Sequence, residues 1–86
     1  MTTWRESIGK ALISNDETWK DVESNTLTKE ELDISFFNGW GAPDGKPFTL
    51  WTKNRVYFPV CYDGKEWVSS VSRNPDGKPT KHVGGY

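Results

Sequence analysis

The sequence has few of the residues that commonly do chemistry. Among its 86 residues there is one cysteine, Cys61, and one histidine, His82. A lone cysteine cannot form a disulfide within the chain, and this pair cannot supply the tetrahedral ligand set of a structural zinc site. We therefore expect no metal, no cofactor and a reducing compartment such as the cytoplasm.

Long apolar runs are also missing. No stretch of about 18 consecutive apolar residues is present, so the sequence predicts no membrane span. The first residues, MTTWRES, lack the apolar segment of a secretory signal. The net charge is −1, but residues 1–50 hold nine acids and five bases whereas residues 51–86 hold three acids and six bases. The two halves attract each other, or both are simply solvated, or the basic end contacts phosphate.

Motifs of known reactions are absent as well. The sequence contains neither a nucleophile elbow nor a phosphate-binding loop. Its paired carboxylates, Asp16 with Glu17 and Glu30 with Glu31, fall at predicted helix starts, where acids interact favourably with the helix dipole. The single cysteine and histidine fall in different segments. We expect a protein that is not an enzyme.

Aromatic residues are abundant instead. The chain has five tryptophans, three tyrosines and four phenylalanines. A chain of this length buries only about 60–65% of its unfolded surface, so side chains that bury roughly 150–250 Å² each are an efficient way to build its core. Most of these rings are expected in the core, which leaves one or two for contacts with a partner.

A capping box marks the first helix. Thr3 with Glu6 has the spacing in which each residue hydrogen-bonds the other's backbone. Apolar residues then recur on one helical face, at Trp4, Ile8, Ala11 and Leu12. The pattern predicts a helix over 4–13, followed by a second short turn that carries Trp19 and Val22.

A second capping box follows. Thr28 and Glu31 have the required spacing. Leu27 precedes the cap and Leu32 lies one turn inside, which is the spacing of a hydrophobic staple. The two signals together predict a short helix over 29–34.

Turns and strands dominate the second half. The tripeptide Asp-Gly-Lys occurs at 44–46, 63–65 and 76–78, and Asp-Gly is a strong turn signal. The β-branched and aromatic residues between these turns predict antiparallel strands over 47–52, 55–62 and 66–72. Pro59 cannot donate to a sheet, so we expect a bulge or an unpaired stretch there. The polar, basic residues 73–86 predict an extended or partly disordered tail.

Together these elements predict one small α+β domain. Two or three short helices within residues 1–35 pack on a three-stranded antiparallel β-meander over 47–72, and the basic tail follows over 73–86. The second strand is apolar at nearly every position, so both of its faces are expected to be at least partly covered.

Six residues are candidates for binding a partner: Trp40, Trp51, Arg55, Tyr57, Trp67 and Arg73. Trp40 stands between two glycines, where no periodicity assigns it to the core, and tryptophan, tyrosine and arginine are typical of interfaces. Alternatively, Trp40 folds down as a lid over the small core. The sheet aromatics and arginines could instead form a platform on which bases stack, or the same rings could pack beneath the helices. A structural protein that self-associates through a free strand edge is a further alternative.

The chain from Thr26 to Tyr86 resembles a family of small, mostly uncharacterised proteins encoded by bacteriophages and prophages. The matching segments are TLT at 26–28, ELD at 31–33, GWG at 39–41, PFT at 47–49, WT at 51–52, RVYFPV at 55–60, YDG at 62–64, EWV at 66–68, SV at 70–71, RNP at 73–75 and HVGG at 82–85. The resemblance implies a phage origin and the cytoplasm of a bacterial host. It implies no known activity, and no catalytic residues carry over from it. Because the last segment matches, it also implies that the tail packs, with His82 and Val83 covering a sheet edge.

From the residues and the resemblance together we expect a non-enzymatic phage accessory protein. It binds a bacterial host protein and modulates or inhibits it, in host takeover or in defence against host immunity. Nucleic acid is the alternative partner, no membrane contact is expected, and the chain is a monomer or a weak homo-oligomer.

Overall fold

The computed structural model describes residues 1–37, 39 and 43–84. Its first helix, α1, spans Trp4–Ser14. Thr3 is extended, with φ −128° and ψ 157°, and its side-chain oxygen accepts a hydrogen bond from the Glu6 N–H at 3.3 Å. This bond satisfies an amide that has no partner within the helix. The helix predicted over 4–13 is therefore confirmed, with one more residue at its end.

The turn predicted around Trp19 and Val22 is only half correct. A 3₁₀ turn spans Trp19–Asp21 and is capped by Thr18. Val22 then adopts φ −72° and ψ 122° and begins a strand, β1, which spans Val22–Asn25. The N-terminal part is therefore not wholly helical, because this segment pairs with a strand from the second half of the chain.

The second helix, α2, is short. It spans Lys29–Leu32 and has both hydrogen bonds of the predicted capping box: Thr28 Oγ1 accepts from the Glu31 N–H at 3.1 Å, and Glu31 Oε1 accepts from the Thr28 N–H at 2.9 Å. The helix ends two residues before the predicted boundary at 34. None of the helices in the described part of the chain is long and apolar enough to cross a membrane.

One antiparallel sheet carries the rest of the fold. After β1 come β2 at Leu50–Thr52, β3 at Arg55–Tyr62 and β4 at Lys65–Ser72, in the spatial order β1–β2–β3–β4. A sheet with two α-helices confirms the α+β class. The three-stranded meander is wrong by one strand, because β1 adds to the edge of β2.

The hairpin between β3 and β4 forms as predicted. Asp63 and Gly64 both have positive φ, at 51° and 81°. Two positive values in a two-residue turn are the geometry whose twist matches that of paired strands. The two strands then pair without a break, from the Tyr62–Lys65 pair beside the turn to the Arg55–Ser72 pair at the other end.

Among the strands that the structure describes, β3 has a partner on one side only at Pro59. Pro59 faces Val68 of β4 with no bulge, so the bulge offered as one alternative is absent from this hairpin. On the other side, the pairing of β2 with β3 comprises Leu50 with Tyr57 and Trp51 with Val56. Pro59 therefore lies beyond the end of β2, where the missing N–H removes no strand hydrogen bond.

Both helices pack on the same face of the sheet, which we call the inner face. The core there comprises Trp4, Ile8, Leu12, Leu27, Leu32, Phe36, Phe48, Leu50 and Tyr57. Because side chains alternate along a strand, the neighbours of these strand residues point to the opposite, outer face. The outer face carries Trp51, Val56, Phe58, Val60, Tyr62, Trp67 and Val71.

Candidate binding surface on the outer face of the sheet

The C-terminal segment, residues 73–84, is fixed to the sheet at both ends. At its start the Arg73 N–H donates to the Asn54 carbonyl at 2.9 Å. At its end Gly84 packs so closely that an added Cβ would lie 2.5 Å from Val60 Cγ1. The segment therefore returns along the sheet from the last residue of β4 to the far end of β3.

This return explains the burial of an outer-face residue. Val60 is 7% exposed although both helices pack on the inner face. Gly84 reaches it with φ +61°, a conformation that glycine adopts without a steric cost. Composition predicts an extended or partly disordered tail, whereas the described part of the tail, through residue 84, makes a specific contact at its end.

A shallow apolar pocket lies between this segment and the sheet. Its lining residues are Tyr62, Trp67, His82, Val83 and Gly84, and its volume is about 310 Å³. We call it the aromatic pocket. Its larger side chains remain open to solvent, with exposed fractions of 49% for Tyr62, 40% for Trp67 and 44% for Val83. His82 and Val83 thus line this pocket.

The hairpin register places the two aromatic residues near each other on the outer face. Tyr62 pairs with Lys65, and Trp67 pairs with Val60, so the two aromatic residues are diagonal neighbours on the outer face. Diagonal neighbours in a sheet lie within reach of aromatic side chains. The tight turn after Tyr62 holds them at the end of the hairpin, where the tail arrives.

Tyr57 does not belong to any binding surface, so its prediction as a binding residue is wrong. Its side chain is 0% exposed on the inner face, and its Oη donates to Glu17 Oε1 at 2.5 Å. Burial, followed by this hydrogen bond, raises the pKa of the Tyr57 phenol above its ordinary value. The other carboxylate oxygen of Glu17 is buried and has no hydrogen-bond partner among the described residues.

The predicted arginines lie at the end of the sheet opposite the aromatic pocket. Arg55 is half-buried and its Nε donates to Ser70 Oγ at 2.7 Å. Arg73 Nη1 forms an ion pair with Glu23 at 2.6 Å. Trp51 is half-buried beside that ion pair.

Of the six predicted binding residues, one therefore lines the aromatic pocket, Trp67. Trp51, Arg55 and Arg73 lie toward the other end of the sheet, and Tyr57 lies in the core. Trp40 lies outside the described residues. The candidate stacking platform of Trp51, Tyr57 and Trp67 is wrong as a unit, because Tyr57 occupies the opposite face.

A second buried carboxylate supports the loop that precedes β2. Glu66 is buried on the inner face and accepts hydrogen bonds from the Asp44 N–H at 2.8 Å and the Gly45 N–H at 3.0 Å. The adjacent Lys46 carbonyl accepts from Trp4 Nε1 at 2.9 Å. These bonds compensate the burial of the carboxylate, and they join the loop to both α1 and β4.

The described residues contain no group of three or more His, Cys, Asp or Glu side chains that could hold a metal ion. No protein-family model, curated protein or solved structure matches this chain. The resemblance to phage proteins, with the function that it implies, therefore stays a prediction. What the chain binds must be inferred from the aromatic pocket and the residues around it.

Proposed function

We propose that this chain is a non-enzymatic binding protein that accepts one apolar side chain of a protein partner in the aromatic pocket. The observation that carries the proposal is the pair of half-exposed rings, Tyr62 and Trp67, presented by a tight hairpin. Tryptophan and tyrosine are enriched among residues that supply most of the binding energy at interfaces. The hairpin fixes their positions before binding, which lowers the entropy lost on association.

The size of the pocket favours a single side chain as its occupant. Its volume of about 310 Å³ is at the lower end of the range for drug-sized ligands. One aromatic or aliphatic side chain that buries about 100 Å² in it would contribute about 2.5 kcal/mol. Such a contribution suits one anchoring residue within a larger protein interface.

The charge around the pocket favours acidic neighbours on that partner. Lys65 is exposed and pairs across the hairpin with Tyr62. Lys81 is exposed next to His82, which lines the pocket. Complementary charge at the rim speeds association and selects among partners. The proposed partner segment therefore has an apolar anchor flanked by aspartate or glutamate.

The resemblance extends the proposal to the origin of the partner. A phage-encoded accessory protein acts in the bacterial cytoplasm, and the partner is then a host protein whose action is modulated or inhibited when its surface is occupied. The chain needs no catalytic residue for this effect.

The test is capture of a partner from bacterial lysate with matched variants, followed by measurement of affinity with the purified partner. Trp67→Ala should weaken binding by about 10-fold or more, as expected for a central aromatic residue. Phe37→Ala is the matched control, because Phe37 is 50% exposed and does not line the pocket. Equal binding by the parent and by Trp67→Ala would exclude the aromatic pocket as the interface. Capture that disappears after nuclease treatment would instead favour nucleic acid as the ligand.

Self-association is the second candidate function, and one observation favours it. β4 is at the edge of the sheet and pairs with β3 alone among the described strands. An exposed edge strand can add a strand from another chain. Sedimentation equilibrium separates the two candidates, since a strict monomer at millimolar concentration excludes edge-to-edge pairing and leaves the aromatic pocket untouched.

A further inference from the structure

A larger cleft lies at the end of the sheet opposite the aromatic pocket. It is bounded by the Arg55 end of β3, by the end of β4 and by the first part of the C-terminal segment, and its volume is about 700 Å³. The lining includes Arg55, Ser70, Arg73, Asp76, Lys78 and Thr80. We call it the arginine cleft.

Positive charge predominates in the arginine cleft. Its lining includes three cations, Arg55, Arg73 and Lys78, and one carboxylate, Asp76. Arg73 is paired with Glu23, so Arg55 and Lys78 supply the positive charge that is open to an anion. Asp76 Oδ1 accepts a hydrogen bond from the Lys78 N–H at 2.9 Å, which stabilises the local turn. The cleft therefore offers a net positive surface to an anion, even though the whole chain has a charge of −1.

Arg55 is the distinctive member of this lining. Its Nε donates to Ser70 Oγ at 2.7 Å and its Nη2 to the Ser70 carbonyl at 3.2 Å, so its orientation is fixed. It is half-buried, yet it forms no ion pair with any carboxylate in the described residues. The buried carboxylate of the neighbouring network, Glu17, contacts Tyr57 instead. A half-buried guanidinium that makes no direct ion pair keeps part of its charge uncompensated, and a bound anion would compensate it.

We propose that the arginine cleft binds the phosphate group of a small phosphorylated molecule. Ser70 accepts from Nε and from Nη2 of Arg55, which leaves the Nη1 hydrogens and the second Nη2 hydrogen as the donors for a phosphate. Two such parallel N–H donors match the geometry of phosphate oxygens. Lys78 adds a second charge from an exposed position, and Thr80 adds a hydroxyl. The volume exceeds that of phosphate alone and falls within the range of small-molecule sites. The remainder of the ligand then lies against Pro75 and Pro79.

The test is a nitrogen-15 NMR titration of the full chain at constant ionic strength. Inorganic phosphate, pyrophosphate and adenosine 5′-monophosphate are added in turn, with sodium chloride as the reference anion. We expect saturable shifts of the Arg55 side-chain Nε–H and of the backbone amides of residues 70–80. Adenosine 5′-monophosphate should bind more tightly than phosphate, because it fills more of the cleft.

Variants assign the binding to the cleft. Arg55→Gln should weaken binding by about 10-fold or more, since it removes a hydrogen bond to a charged group. Lys78→Gln should weaken it about threefold and cannot unfold the core, because Lys78 lies on the exposed segment. Lys20→Gln is the control, with the same change of charge outside the cleft. Its affinity should equal that of the parent.

Three results would overturn the proposal. The first is a shift pattern that sodium chloride reproduces, which would indicate ionic strength alone. The second is unchanged affinity in both Arg55→Gln and Lys78→Gln. The third is binding of a single-stranded oligonucleotide without binding of adenosine 5′-monophosphate, which would make the cleft a contact for nucleic acid. None of these results bears on the aromatic pocket, which lies at the other end of β3.

Discussion

Substituting Gly84 by alanine should release the end of the C-terminal segment and destroy the aromatic pocket. The added Cβ would lie 2.5 Å from Val60 Cγ1 and 3.0 Å from the Cys61 carbonyl oxygen. Gly77→Ala is a matched control within the same segment. Gly77 also has a positive φ, +74° against +61° for Gly84, but an added Cβ there would meet nothing within 4 Å.

The two substitutions share one cost and differ in another. A side chain at positive φ costs about 1 kcal/mol in either variant. Carbon atoms in contact normally lie about 3.5–4.0 Å apart, so Gly84→Ala also requires the segment to move away from Val60 by about 1 Å. Val60 then loses part of its burial, and full burial of a valine side chain contributes at most about 1.5–3 kcal/mol. We expect the end of the segment to detach in Gly84→Ala and to stay bound in Gly77→Ala.

NMR relaxation distinguishes these outcomes. In Gly84→Ala the nitrogen-15 heteronuclear NOE at Val83 and at position 84 should fall to values typical of a mobile terminus, and the Val60 methyl resonances should shift. In Gly77→Ala both signals should match the parent. Thermal unfolding of both variants should stay cooperative, with Tm lowered by no more than about 10 °C, because the core is on the inner face. The packing argument is refuted if the two variants give the same NOE profile.

Three further predictions concern the core and the surface. Gly45→Ala should lower the Tm measured by circular dichroism by about 5–15 °C, because the added Cβ would lie 2.6 Å from Cζ2 of the buried Trp4 indole. An unchanged Tm would contradict this close packing. Tyr57→Phe should cost about 1–3 kcal/mol in urea unfolding, because it leaves the buried Glu17 carboxylate without its donor. Because the Tyr57 pKa is raised in the fold, the parent should lose stability as the pH rises above about 10 and Tyr57→Phe should lose less. The Arg5 guanidinium lowers the pKa of Asp33. The pair should therefore stabilise the fold above the ordinary aspartate pKa and lose this effect on acidification below about pH 4. An NMR titration in which the Asp33 carboxyl carbon behaves alike in the parent and in Arg5→Gln would contradict this.

The helix starts and the hairpin could be predicted because each depends on residues that are close in sequence. The cap of α2 joins Thr28 and Glu31, which are three positions apart. β1 could not be predicted in this way. Its four residues, VESN, contain no apolar alternation, and the segment becomes a strand because Asn25 pairs with Leu50, far along the chain.

The candidate site could be predicted only in part, for a related reason. Alternation along β3 predicts that Tyr57 and Val56 point to opposite faces of the sheet. The sequence does not show that Trp51 of β2 pairs with Val56 of β3 and therefore shares its face. That register decides which aromatic rings share a face. Tyr62 could have been predicted as a binding residue, because it lies beside the predicted turn and, two residues after Val60, on the same face.

The segment over 73–84 could be predicted least, although it contributes to both proposed sites. Its composition is polar, and the contact that places its end is that of one glycine with a valine in β3. A few contacts of this kind give a segment low local stability, which is common where proteins bind ligands. The inner-face core, from Trp4 to Tyr57, uses no residue of this segment. Substitutions in the segment should therefore abolish binding while the fold remains intact, and a variant that loses both would show that the segment also stabilises the core.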